Sequence, residues 1–277
     1  MLGTDLVKVL STRHRVIGVD AEDFDIMDGP ATACAVREAG PDAIVNCAAW
    51  TDVDGCERDP EKAFAVNSGG AASVSAAAAG SGARLIHLST DFVFDGRKGR
   101  PYTEEDEPNP LSVYGSSKLA GEKECLAACH GCLIIRTSWL FGRHGKNFVD
   151  TVQGLASERE SIEVVDDQVG CPTYSVDLSR AIAGLLGGET SGILNVTNSG
   201  RCSWWEYAGY IVGLLGCGCT VKPTSSERLG RAARRPSFSV LSPSRLEKEL
   251  GHALRPWEDA VREYVSDKYG QKTLEDN

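Results

Sequence analysis

Five consecutive residues carry the densest chemistry in the sequence: Tyr114-Gly115-Ser116-Ser117-Lys118. On a helix, residues four apart share a face, so this spacing sets a phenol beside an ammonium. A nearby cation favours phenolate and lowers the tyrosine pKa from about 10, which fits Tyr114 for proton transfer near neutral pH. The same spacing also occurs as a plain pair on a helix surface, so the surroundings must decide. Ser89-Thr90-Asp91 closes an apolar run, and in parallel sheets ligands sit at the carboxyl ends of strands. Thr90 can hydrogen-bond a carbonyl beside the phenol, and Asp91 can accept from a sugar hydroxyl. Taken alone, the three residues would more often make a helix cap. Asn46-Cys47-Ala48-Ala49 ends another strand in small side chains that let a flat nucleotide come close.

These residues need a sheet to hold them. Strands are expected over residues 16–20, 42–48, 84–89 and 132–137, with helices over 61–79 and 114–129 between them. Continuous apolar strands alternating with helices predict a parallel sheet covered on both faces, a doubly wound α/β fold. Beyond residue 145 the pattern loosens: strands at 163–167 and 192–196, helices at 175–186, 204–215 and 257–268, and a polar tail 271–277 expected to fray. The reading is a Rossmann-like dinucleotide-binding domain over 1–145 and a smaller, interleaved α/β substrate-binding region over 146–277.

Composition narrows the function. The chain has 277 residues, 29 basic against 39 acidic, and a net charge of -10. Without a basic stripe the footprint of a nucleic-acid binder is missing. No apolar run reaches the roughly 18 residues of a membrane span, and the first residues lack a secretory signal. The ten cysteines are irregularly spaced; Cys47 and Cys171 read as small hydrophobes, and a reducing cytoplasm follows. Cys125, Cys129, His130 and Cys132, with Cys217 and Cys219 far downstream, fall short of zinc-knuckle spacing. No metal is expected.

The front departs from the plan. A dinucleotide fold opens with an apolar strand, a glycine-rich turn and a helix. Here Leu2, Leu6, Val7, Val9 and Leu10 already carry a helical pattern, and residues 16–20 follow as a second strand would. Asp20 ends that strand where an acid meets the adenosine ribose, or is a simple turn residue. Gly3 reads as the last glycine of the turn, letting the helix pack against the sheet. The expectation is that Met1 is an internal methionine, or the gene is truncated, and that the chain as written holds a cofactor poorly, lacking backbone donors for pyrophosphate.

Around these residues the sequence resembles the extended short-chain dehydrogenase/reductase family, and within it the branch that reduces dTDP-4-dehydrorhamnose. Segments 46–54, 89–96, 110–115 and 118–122 carry the likeness, followed by 136–142, 145–148, 167–173 and 235–241. They run in family order over nearly the whole chain; the first strand and leading glycines are the departure. The resemblance implies hydride transfer from NADPH or NADH to the 4-keto group of that nucleotide sugar. It makes Tyr114 the proton donor, with Lys118 tuning it and holding the nicotinamide ribose, and Thr90 and Asp91 at the sugar. It sets Trp139 against the sugar ring, Gly3 at the tail of the cofactor's glycine turn, Asp20, Asp25 and Ile26 around the adenosine, Ala49, Trp50 and Thr51 at the cofactor's middle, and Leu88 at the nicotinamide. Asn147, Gln168 and Arg235 could meet the nucleotide diphosphate, Arg235 by bidentate pairing or instead as a loop salt bridge. Asn67 orders the active-site helices or simply caps; His87 reads as a core histidine. An epimerase or dehydratase using the same Tyr-Lys pair, and a noncatalytic regulatory subunit of the same fold, are the alternatives. A homodimer is expected from the family.

Overall fold

Apolar runs flanked by alanine-rich stretches become strands and their covering helices. The computed structural model describes residues 1–270; the tail 271–277 lies outside them. Strands β1 (Ala43–Asn46), β2 (Arg84–Thr90), β3 (Leu133–Thr137) and β4 (Gly192–Asn195) pair in that order, all parallel. Residues alternate between faces along a strand, and the core divides accordingly. Ile86, Leu133 and Ile135 pack with Leu2, Leu6 and Leu10 of α1 (Leu2–Leu10) and with Leu178, Ile182 and Leu185 of a later helix, Ser175–Leu186. Leu85 and Ile134 face the other way, onto Val74 and Ala78 of α2 (Ala71–Ser81) and Cys125 and Cys129 in and just beyond α3 (Val113–Ala128). The fold is doubly wound α/β.

The expected helix over 61–79 is really three joined pieces: Pro60–Phe64, a π-helical Ala65–Gly70, and α2. Such widened turns gather at functional sites, and this one holds Asn67. A second core is largely aromatic: Phe141, Tyr174, Tyr207, Trp257 and Tyr264, gathered by helices Phe148–Glu158, Trp204–Leu215 and Trp257–Tyr269. Its strand at Ser161–Val165 pairs with Thr220–Thr224. All ten cysteines are free thiols. Among the described residues no helix is long and apolar enough to cross a membrane.

Two expectations at the front fail. Residues 16–20 form no strand, and Ile17 and Val19 are more than half exposed. A strand needs a ladder partner, and among the described residues the outer edge of β1 pairs with nothing. Only Val16 packs on the adjacent core. Gly3 lies within α1, where an added Cβ would meet nothing within 4 Å, so it does not serve close packing of helix on sheet.

Candidate active site

The site assembles at the carboxyl end of β2, where the strand hands over to a short turn. Thr90, the last strand residue, donates to Asp91 Oδ1 at 3.1 Å and accepts the Phe92 N–H at 3.2 Å. Asp91 is only 2% exposed, and its Oδ2 has no hydrogen-bond partner among the described residues. Burial pushes its carboxyl up to about 7, while the hydroxyls of Ser239 and Thr90 near it hold it down.

Tyr114 enters from the first turn of α3. The helix starts there because Ser112 caps it, its Oγ accepting the Gly115 N–H at 3.1 Å. Gly115 lets α3 ride against the turn after β2: a Cβ would stand 2.2 Å from the Phe92 carbonyl oxygen. The Tyr114 ring meets Phe92 edge to face at 5.6 Å. Burial raises the phenol's pKa, opposed by the nearby Thr90 hydroxyl and assisted by Asp91 and Cys56. This reverses the expected lowering by Lys118: desolvation dominates, and the ammonium donates to the Leu88 carbonyl. The phenol is therefore held protonated, the state a proton donor needs.

Lys118 is 3% exposed and donates to the Leu88 carbonyl at 2.6 Å. Burial lowers it to about 8, while Glu122, one turn along α3, pulls it back up. Glu122 is itself clamped: Arg136 Nε and Nη2 donate to it at 2.9 and 2.6 Å, and Ser89 Oγ at 2.5 Å. Glu122 and Arg136 were not singled out from sequence. The i,i+4 step from Lys118 to Glu122 and the lone arginine inside an apolar strand were the available signals.

Asn67, from the π-turn, ties the loop that carries Trp50 to this helix. Its Oδ1 accepts the Trp50 N–H at 2.8 Å, and its Nδ2 donates to the Trp50 carbonyl and to Ser117 Oγ. Asn46 steadies the same loop by accepting the Ala48 N–H at 3.1 Å, and its amide nitrogen contacts His87 Nδ1 at 3.1 Å. His87 is buried and driven towards neutrality by desolvation, with Lys118 adding to it; its Nε2 has no partner among the described residues. Trp50 lies under the Lys62 ammonium, Ala49 beside it is half-buried and Thr51 exposed.

The remaining expected residues lie further out. Asp20 and Asp25 are exposed and close local turns onto Glu22 and Met27, each accepting an N–H at 2.9 Å. Ile26 fills the notch at Gly70. Trp139 follows β3 by two residues, and Thr137 before it is in register with Thr90. Asn147 caps helix Phe148–Glu158, and its amide is spent on Asp150, Gly142 and Tyr264. Gln168 donates to Ser226. Arg235 grips Asp54 with two bonds of 3.2 and 2.9 Å, which holds that carboxyl at about 2 despite the opposing cost of burial.

Comparison with known proteins agrees with this geometry. A family model described as the RmlD substrate binding domain matches residues 1–269. A dTDP-4-dehydrorhamnose reductase from Streptomyces griseus is 40% identical, covering 95% of this chain and 89% of its own. One from Sinorhizobium fredii is 39% identical over 90% of this chain and 88% of its own. The crystal structure of a dTDP-4-dehydrorhamnose reductase from Bacillus anthracis in complex with NADP superposes with a TM-score of 0.94 at 36% identity, covering 96% of this chain and 95% of that one. The chain belongs to the RmlD substrate-binding-domain family, that of the dTDP-4-dehydrorhamnose reductases.

Proposed function

We propose that the chain reduces the 4-keto group of dTDP-4-dehydrorhamnose with NADPH or NADH, giving dTDP-L-rhamnose. The observation that carries this is the meeting of Thr90, Tyr114 and Lys118 at one strand end, with the phenol kept protonated by burial. At the two riboses the residues present fit a dinucleotide. Lys118 spends one of its three donors on Leu88 and keeps two for a ribose diol. Asp20 forms no ion pair among the described residues and offers a carboxylate to the other ribose.

Bound NADPH or NADH supplies the hydride. Tyr114 gives its phenolic proton to the carbonyl oxygen as charge develops there. Thr90 donates a hydrogen bond to the same oxygen, and the Lys118 ammonium stabilises the phenolate left behind. Asp91 and Trp139 border the sugar. Arg235 exchanges Asp54 for the diphosphate, a pairing its planar fork suits. Asp25, Ile26, Ala49, Trp50, Thr51 and Leu88 line the cofactor's path. Residues 146–277 mainly serve the nucleotide sugar, and the working form is a cytoplasmic homodimer.

The test is label transfer. With NADPH deuterated at the transferring position, deuterium should arrive at C4 of the sugar. A product without label there would refute the assignment.

A further inference from the structure

Trp139 is the one non-glycine residue of the described chain in the left-handed region, at φ 46°. A bulky residue persists there only where its surroundings impose it, and such outliers gather at functional sites. Here the flanks are pinned. Ser138 Oγ donates to the Cys171 carbonyl at 2.6 Å, and the Thr173 N–H donates to the Trp139 carbonyl at 3.3 Å.

The indole sits in a slot. Trp204 stacks on one face, with ring centroids 3.6 Å apart and planes at 9°. Gly170 lies on the other: a Cβ there would stand 2.4 Å from Cε2 and 2.7 Å from both its neighbours, Nε1 and Cζ2. That near-equal spacing places the atom over the ring face, not at its edge. The two walls belong to one ladder, because Gly170 pairs with Cys202 and Val169 with Ser203, and the Trp204 N–H donates to the Gln168 carbonyl. With both faces covered, the ring has only its edge to offer, and Nε1–H makes no hydrogen bond among the described residues. The slot adjoins the catalytic residues. Ser239, whose hydroxyl is close enough to Asp91 to bear on its carboxyl, donates its N–H to the Val169 carbonyl at 2.8 Å.

We infer that Trp204 and Gly170 are positioning residues for the nucleotide sugar. Together they lock the Trp139 indole so that its edge, with Nε1–H, donates to an oxygen of that substrate. The inference rests on the reductase assignment. It predicts a defect in sugar binding that leaves hydride transfer alone.

The experiment compares Gly170→Ala, Trp204→Ala and Trp204→Phe with the wild type. Gly170→Ala fills the slot, and the KM for dTDP-4-dehydrorhamnose should rise about tenfold, about 1.4 kcal/mol. The NADPH KM and kcat should hold. Trp204→Ala should move the same constant in the same direction, and Trp204→Phe should restore most of it by renewing the stack. Folded variants with wild-type sugar KM would overturn the inference, as would equal losses in kcat and both KM values. A second readout is independent of turnover: the stacked indoles give an exciton couplet in circular dichroism, which Gly170→Ala must abolish. Survival of the couplet overturns the slot. A wild type that turns over no dTDP-4-dehydrorhamnose refutes the reductase assignment instead, and the couplet still decides the slot.

Discussion

Glu122→Gln probes how the fold sets the charge on Lys118. Glu122 and Arg136 are both 1% exposed, joined by two hydrogen bonds of 2.9 and 2.6 Å, and Ser89 donates to the same carboxylate. The substitution keeps the shape and removes the charge, leaving the Arg136 guanidinium buried and uncompensated. Breaking such a pair costs about 3–5 kcal/mol, a large part of the roughly 5–15 kcal/mol that holds a domain together. The second effect reaches Lys118. Burial has already lowered it to about 8, and Glu122 is the leading group opposing that fall. Losing the carboxylate should move Lys118 down by about one further unit, about 1.4 kcal/mol. In the proposed reduction the charged lysine is the active form, so activity fades as pH rises through its pKa. The alkaline limb of kcat should therefore shift about one unit towards acid, and at about pH 8 the charged fraction should drop about fivefold. Initial rates of NADPH oxidation across that limb, with urea unfolding of the same samples, measure both effects. An unshifted limb in a destabilised protein would refute the electrostatic link, and unchanged stability would refute the buried pair.

Tyr114→Phe should cost about 10²–10⁴-fold in kcat while NADPH still binds; a smaller loss would mean another group supplies the proton. The Asp91 carboxyl is held up at about 7, above its unfolded value near 3.9. Its contribution to stability is thus complete below about pH 4 and lost as pH rises through about 7. Asp91→Asn never ionises, so it should melt above the wild type at about pH 8 and level with it at about pH 4, with a gain of at most about 4 kcal/mol. Equal differences at both pH values would refute a buried, protonable Asp91. Gly115→Ala drives a Cβ to 2.2 Å from the Phe92 carbonyl and should cost about 1–3 kcal/mol by overpacking, with a fall in kcat that an unchanged melting curve and rate would contradict. Asn147→Ala removes a buried cap and should lower stability by about 1 kcal/mol or more without altering the sugar KM in the surviving fold.

Much of the site was legible because its chemistry is local. Tyr114 and Lys118 share a helix face by spacing alone, and Thr90 and Asp91 end a strand whose apolar run is unmistakable. The sheet followed from the same runs, with β2, β3 and the helix over 175–186 found within a residue or two. What spacing could not give is which opposing effect wins. A cation beside a phenol predicts a lowered pKa, yet burial raises it, and burial is a property of packing between distant segments. Residues 16–20 have the composition of a strand, but a strand exists only with a partner, and none pairs with it among the described residues. For Arg235 the sequence left phosphate pairing and a loop salt bridge open, and for Asn147 it named no protein partner; Asp54 and Tyr264 meet them across 181 and 117 residues. The covered faces of Trp139 depend on Gly170 and Trp204, and no periodicity joins those three positions.

The central claim is that Tyr114 hands a proton to the 4-keto oxygen of dTDP-4-dehydrorhamnose during reduction. The most direct measurement is the rate of NADPH oxidation on adding that sugar at saturating cofactor, for the wild type and Tyr114→Phe side by side. Sugar-dependent oxidation, one NADPH per sugar reduced, is expected in the wild type and almost none in the variant, with both binding NADPH alike. Equal rates in the two proteins, or no sugar-dependent oxidation by a wild type that binds NADPH, would contradict it.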